Sequence, residues 1–209
     1  MMMNNELTHW PGDLQLPDYA LEGNINNRGL ETDYRTDENG NTFELDYEKD
    51  YYANIAAFLL IGDWLDYLKA NDVYNNTRII IASDHGYGMG QFENLVMNDG
   101  VDMQWVIPIY MVKDFDSEVF TDSSEFMTCA DTPTLAMKGL INGPINPFTN
   151  KRIDNAQKSS QDQIVLLKHK FIMDKNLTKY DRPEQVWYKV HDNVYDRNNW
   201  TRLSEEDYP

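Results

Sequence analysis

The chain has 209 residues, 41% of them hydrophobic, which fits one domain or a large piece of one and is enough to bury a core. A formal net charge of −17 argues against non-specific binding to nucleic acid or anionic lipid, both of which need basic patches. The single cysteine, Cys129, excludes a disulfide framework and a multi-cysteine zinc site.

Residues 4–47 are rich in Asn, Asp, Gly and Pro and read as an extended, loop-rich approach. The opening Met1-Met2-Met3-Asn4-Asn5 lacks the basic and apolar regions of a signal peptide, so any export signal is expected outside this chain. No apolar run approaches the ~18 residues of a membrane span. From residue 48 the character changes. Ile55, Phe58, Leu59, Gly62, Leu65 and Leu68 fall at helical spacing and predict an amphipathic helix over 48–70, closed by a turn at Asn75-Asn76.

Ile79-Ile80-Ile81 is apolar on consecutive residues, the pattern of a strand covered on both faces in a parallel sheet. Val106-Ile107-Pro108-Ile109-Tyr110-Met111-Val112 reads as a second strand, its proline at the start or on an edge. Residues 132–141 read as a short helix, with Asp131 or Thr132 as cap and Pro133 in the first turn. A Pro/Asn-rich loop follows. Ile164, Leu167, Lys168 and Phe171 then suggest a helix over 164–173, and the aromatic–polar alternation of 185–203 predicts one or two late strands. The order helix, strand, loop, strand, helix points to an α/β sandwich with a mainly parallel central sheet flanked by helices. The chain divides at residue 150 into a main part, 1–150, and a C-terminal extension, 151–209.

In such sheets ligands gather at the carboxyl ends of the strands. Asp84 and His85 stand at that end of the best strand, followed by Gly86. Carboxylate and neutral imidazole are ordinary ligands of zinc and manganese, and a glycine permits the chain to turn so that adjacent side chains reach one ion. A loop pair that only caps or hydrogen-bonds is the competing reading. Gly86-Tyr87-Gly88-Met89-Gly90 is not a phosphate-binding fingerprint. His9, in Thr8-His9-Trp10-Pro11, is a loop histidine able to reach a cleft, although a histidine in such a setting is more often structural. His169 reads as solvated and His191, beside Asp192, as locally hydrogen-bonded. No nucleophile elbow is present. Ser83 would face away from Asp84 along an extended strand, and Cys129 reads as a small buried residue.

Ile80-Ile81-Ala82-Ser83-Asp84-His85-Gly86 resembles the S-D-H-G signature of the alkaline phosphatase superfamily, in its sulfatase and lipoteichoic-acid-synthase-like branch. Val106-Ile107-Pro108-Ile109-Tyr110 resembles the strand that follows in that branch, and Ala130-Asp131-Thr132-Pro133-Thr134-Leu135 its D-x-x-P-T-L helix start. The resemblance covers roughly residues 5–150. It implies that Asp84 and His85 ligate a divalent metal (manganese, zinc or calcium) and that His9 binds the anionic group of the substrate. It also implies that the catalytic nucleophile and the remaining acidic ligands lie upstream, so the chain corresponds to the C-terminal part of an incomplete alkaline-phosphatase-like domain.

The implied function is that of a sulfatase-like hydrolase or a phosphoglycerol- or phosphoethanolamine-type transferase. Its substrates would be sulfate or phosphate esters, lipid- or glycan-linked, with no nucleic acid involved. The implied partner is the N-terminal half of the domain, and the implied setting is the extracellular face of a membrane-anchored parent protein. The alternative is a non-catalytic binding or assembly module that keeps the fold.

Overall fold

A computed structural model of the chain describes residues 3–9, 14–23, 33–36, 42–45, 48–88, 92–145, 150, 152, 161–168 and 185–208. These form two compact units, residues 1–77 and 78–209.

The first unit begins with two antiparallel hairpins where the sequence reads as loop. Strand β1 (Leu14–Gln15) pairs with β2 (Ala20–Leu21), and β3 (Asp33–Thr36) with β4 (Thr42–Leu45). Tyr34 and Phe43 stand in the second pair; strands of two to four residues are too short for a period-2 pattern to stand out among polar neighbours. Helix α1 (Glu48–Ala70) forms where its periodicity predicts. The face it buries matches the expected stripe only in part: Leu68 is buried and Ile55 and Leu65 are half-buried, but Phe58 and Leu59 are exposed, and Tyr52, Ala53 and Ala56 are the residues that pack with Leu14. Small alanines let the helix approach the hairpin closely, and Phe58 and Leu59 sit further round the helix. No helix among the described residues is long and apolar enough to cross a membrane.

The second unit contains β5 (Ile79–Ala82), β6 (Tyr110–Lys113), the six-residue helix α2 (Thr132–Met137), and β7 (Gln163–Lys168), β8 (Val186–Val190) and β9 (Trp200–Arg202). β5 pairs with β6 antiparallel, Ile79 opposite Lys113 and Ala82 opposite Tyr110. β7, β8 and β9 form a three-stranded antiparallel sheet. The expected α/β sandwich with a parallel central sheet is therefore incorrect. A parallel pair needs a crossover, usually a helix; the described residues between β5 and β6 instead include two single-turn 3₁₀ helices, and β6 runs in the opposite direction to β5. The triple-isoleucine run does not mark a strand covered on both faces, because only Ile79 is buried.

Two further expectations change. The strand expected over 106–112 begins only at Tyr110, after a 3₁₀ turn (Met103–Val106) and Pro108. The helix expected from 164 is a strand over its described part: Val165 and Leu167 pack against the core while Ile164 is exposed, a period of two. Residues 169–173 lie outside the described residues. The late strands of 185–203 appear as β8 and β9. The core of this unit is built on them, with Val186, Tyr188, Val190 and Trp200 closing on Leu95 and Met103.

Candidate functional site

Asp84 and His85 follow β5 directly. The ladder to the returning chain continues past the strand, since the Ser83 N–H donates to the Ile109 carbonyl and the Gly86 N–H to the Trp105 carbonyl, both at 3.1 Å. The pair is thus a short projection fastened at each end. Ser83 adds a side-chain tie, its Oγ accepting from the Ile109 N–H at 3.0 Å. The Cys129 thiol donates to the Ser83 carbonyl at 3.1 Å. Burial, and then the Asp84 carboxylate, push that thiol's pKa up, which keeps it in the protonated form the hydrogen bond needs.

Gly86 is required for space. A Cβ there would lie 2.6 Å from the Ile107 carbonyl oxygen and closer still to that of Gln104. Its role is therefore close backbone approach. Beyond it, Tyr87 meets Trp105 edge-on with centroids 5.0 Å apart, and the His85 ring lies 6.4 Å from Trp105.

The two side chains face each other. The His85 backbone N–H donates to Asp84 Oδ1 at 3.0 Å, which turns Oδ2 toward the imidazole. His85 Nδ1 lies 2.6 Å from the Gly86 carbonyl oxygen. A carbonyl only accepts, so Nδ1 carries the proton and Nε2 is the basic nitrogen of neutral histidine. Nε2 stands 3.8 Å from Asp84 Oδ2. Two ligands of one tetrahedral ion, at bond lengths near ~2.1 Å, are separated by about 3.4 Å, so the pair fits a shared divalent cation after a small adjustment. The backbone bond at Nδ1 is the outer support that metal-ligating histidines ordinarily have.

The site is open: the Asp84 side chain is 87% exposed and that of His85 48%. Among the described residues, no group of three or more His, Cys, Asp or Glu is placed to hold an ion. His9 belongs to the first unit, where it is exposed in a turn and its backbone N–H donates to the Glu6 carbonyl at 3.1 Å. His169 lies outside the described residues. His191 Nδ1 stands 3.5 Å from Asp162 Oδ1.

The surroundings of the pair are not readable from local sequence. Trp105 and Cys129 reach it through turns of the chain, and no spacing rule connects them to Asp84. Comparison of the chain with protein-family models, with curated proteins and with solved structures finds no match.

Proposed function

We propose that Asp84 and His85 are two ligands of a divalent metal, manganese, zinc or calcium, in a site that acts on sulfate or phosphate esters and to which this chain contributes a part. The resemblance of residues 80–86 to the sulfatase-like signature motivates the reading. The observation that carries it is the 3.8 Å approach of Asp84 Oδ2 and His85 Nε2, with the tautomer set by Gly86. A bound metal would supply Lewis-acid polarisation of the ester oxygen. The chain's own contribution is to hold one anionic and one neutral ligand at fixed spacing on a strand end. Nucleophilic attack is assigned to a group supplied from outside this chain. The parent protein is placed, by the same resemblance, on the extracellular side of a membrane.

Two ligands on an open surface leave most coordination positions to water, so the isolated chain binds weakly and turns over no ester. Manganese titration followed by NMR tests this. The expected result is paramagnetic broadening centred on residues 84–86, saturating only in the micromolar range or weaker, and abolished in both Asp84→Ala and His85→Ala. Broadening that is diffuse, or that survives both substitutions, removes the metal reading and leaves the non-catalytic binding module.

A further inference from the structure

β8, β9 and the turns at 98–99 and 197–199 border an open cavity of about 460 Å³ on the surface of the second unit. Its charged lining is Arg197, Arg202 and Asp99. Two guanidiniums against one carboxylate make the lining net positive in a chain whose formal charge is −17. The groups are held in place. Asp99 Oδ2 accepts from Arg202 Nη1 at 2.8 Å and from the Tyr188 hydroxyl at 2.9 Å. Arg197 donates to the side-chain carbonyl of Asn98, a neutral acceptor that leaves its charge uncancelled at that contact. Trp200 forms a fixed wall, its indole N–H donating to the Val194 carbonyl at 2.8 Å.

A preorganised guanidinium loses little freedom when it takes an oxyanion, and its fork matches a pair of oxygens. The balance of charge selects among oxyanions. One surplus positive charge complements a single negative charge, while a dianionic phosphate would bring one more than the lining offsets.

We propose that this cavity binds a small organic monoanion, with its carboxylate or sulfate-ester oxygens seated between Arg197 and Arg202. The proposal does not draw on the reading of Asp84 and His85, neither of which lines the cavity.

The test is an NMR titration of the isotope-labelled full chain with glucuronate, with a hexose sulfate ester and with glucose. The signals followed are the Trp200 indole N–H and the arginine Nε–H groups. The expected result is a saturable shift with at least one of the two acids and none with glucose; which acid responds identifies carboxylate or sulfate as the group recognised. Arg197→Ala weakens that binding about tenfold or more, the loss of a charge-assisted hydrogen bond. Arg197→Gln retains a donor toward Asn98 but removes the charge, and weakens it similarly. The proposal is overturned if neither acid shifts these signals, if glucose shifts them equally, or if Arg197→Gln binds as well as the parent.

Discussion

Arg78 Nη1 donates to the Lys138 carbonyl oxygen at 2.6 Å, so the residue that opens the second unit closes the end of helix α2. The same nitrogen reaches the Leu135 carbonyl at 2.8 Å, and Nε donates to Asp114 Oδ1 at 2.8 Å. The guanidinium also lies over the Phe115 ring, 4.6 Å from its centroid. The last carbonyls of a helix have no partners within it, and a cation there also opposes the helix dipole. One side chain therefore ties β5, the chain after β6 and α2 into a single arrangement.

Arg78→Ala is expected to destabilise the second unit by about 2–4 kcal/mol, since several bonds to a charged group are lost together. Arg78→Lys recovers only part of this, because a point charge cannot serve carbonyls and carboxylate at once. Urea denaturation followed by the fluorescence of this unit's tryptophans measures both. The Phe115 N–H first, and then Arg78, hold the Asp114 carboxyl below its usual range. A folded-state pKa that is depressed contributes stability above the unfolded value and loses it as pH falls. In Arg78→Ala this acid dependence shrinks but persists, because the backbone donor remains.

Gly86 and Gly62 are expected to respond to alanine with opposite signs. At Gly86 the new Cβ would collide with backbone oxygens of Gln104 and Ile107, which cannot move like a side-chain tip. Gly86→Ala should cost ~1–3 kcal/mol and displace His85, so the manganese broadening at residues 84–86 weakens with it. Gly62, within α1, has nothing within 4 Å of such a Cβ. Gly62→Ala should add ~0.5–1 kcal/mol through lower chain entropy in the unfolded state and better helix propensity. Thermal unfolding of the two variants decides whether Gly86 is held there by space.

These relationships mark the boundary of what the sequence discloses. Helix α1 and strand β5 were legible because apolar spacing is a local signal. The direction of β5 relative to its partner was not, because it depends on how residues 83–109 travel between them. The apolar residues of 164–167 fit a helical and an alternating pattern equally, and only contact with Tyr188 and its neighbours selects the strand. The Asp84-His85 pair was visible as a dipeptide, but its facing geometry depends on backbone bonds to Ile109 and Trp105. Arg78 showed no signal at all: its partner Lys138 lies 60 positions away.

Asp131 shows how a motif residue can act through structure. Its side chain is fully buried. Oδ2 accepts from the Thr128 N–H at 2.6 Å and from the Thr128 hydroxyl at 3.2 Å; the first of these, with the Asp131 N–H donating back to the Thr128 side chain, forms the capping box that closes the 3₁₀ turn (Cys129–Asp131) leading into α2. The turn also carries Cys129 to the Ser83 carbonyl. Asp131→Ala is expected to cost ~1–3 kcal/mol by leaving half-buried Thr128 donors without their acceptor. Asp131→Asn retains one acceptor oxygen and costs less. Hydrogen exchange at the Thr128 and Ser83 amides separates the two: both speed up in Asp131→Ala, whereas a change at Thr128 alone means the turn is not coupled to the strand end.

Tyr188 gives the second unit an alkaline limit. Burial, followed by its hydrogen bond to Asp99, pushes its hydroxyl from 10.0 up to about 12. Below about pH 10 the phenol is protonated in folded and unfolded chains alike, and the contribution is fully present. Between about pH 10 and 12 the unfolded chain releases the proton while the folded chain keeps it, so the folded state loses ground as pH rises. Tyr188→Phe lacks this titration and also gives up the bond to Asp99. It should therefore be less stable than the parent near neutral pH, by ~1–2 kcal/mol, and the gap should narrow as pH passes 10. Urea midpoints of the two proteins across that window give the comparison; a gap that stays constant would show that the Tyr188 proton is not coupled to folding.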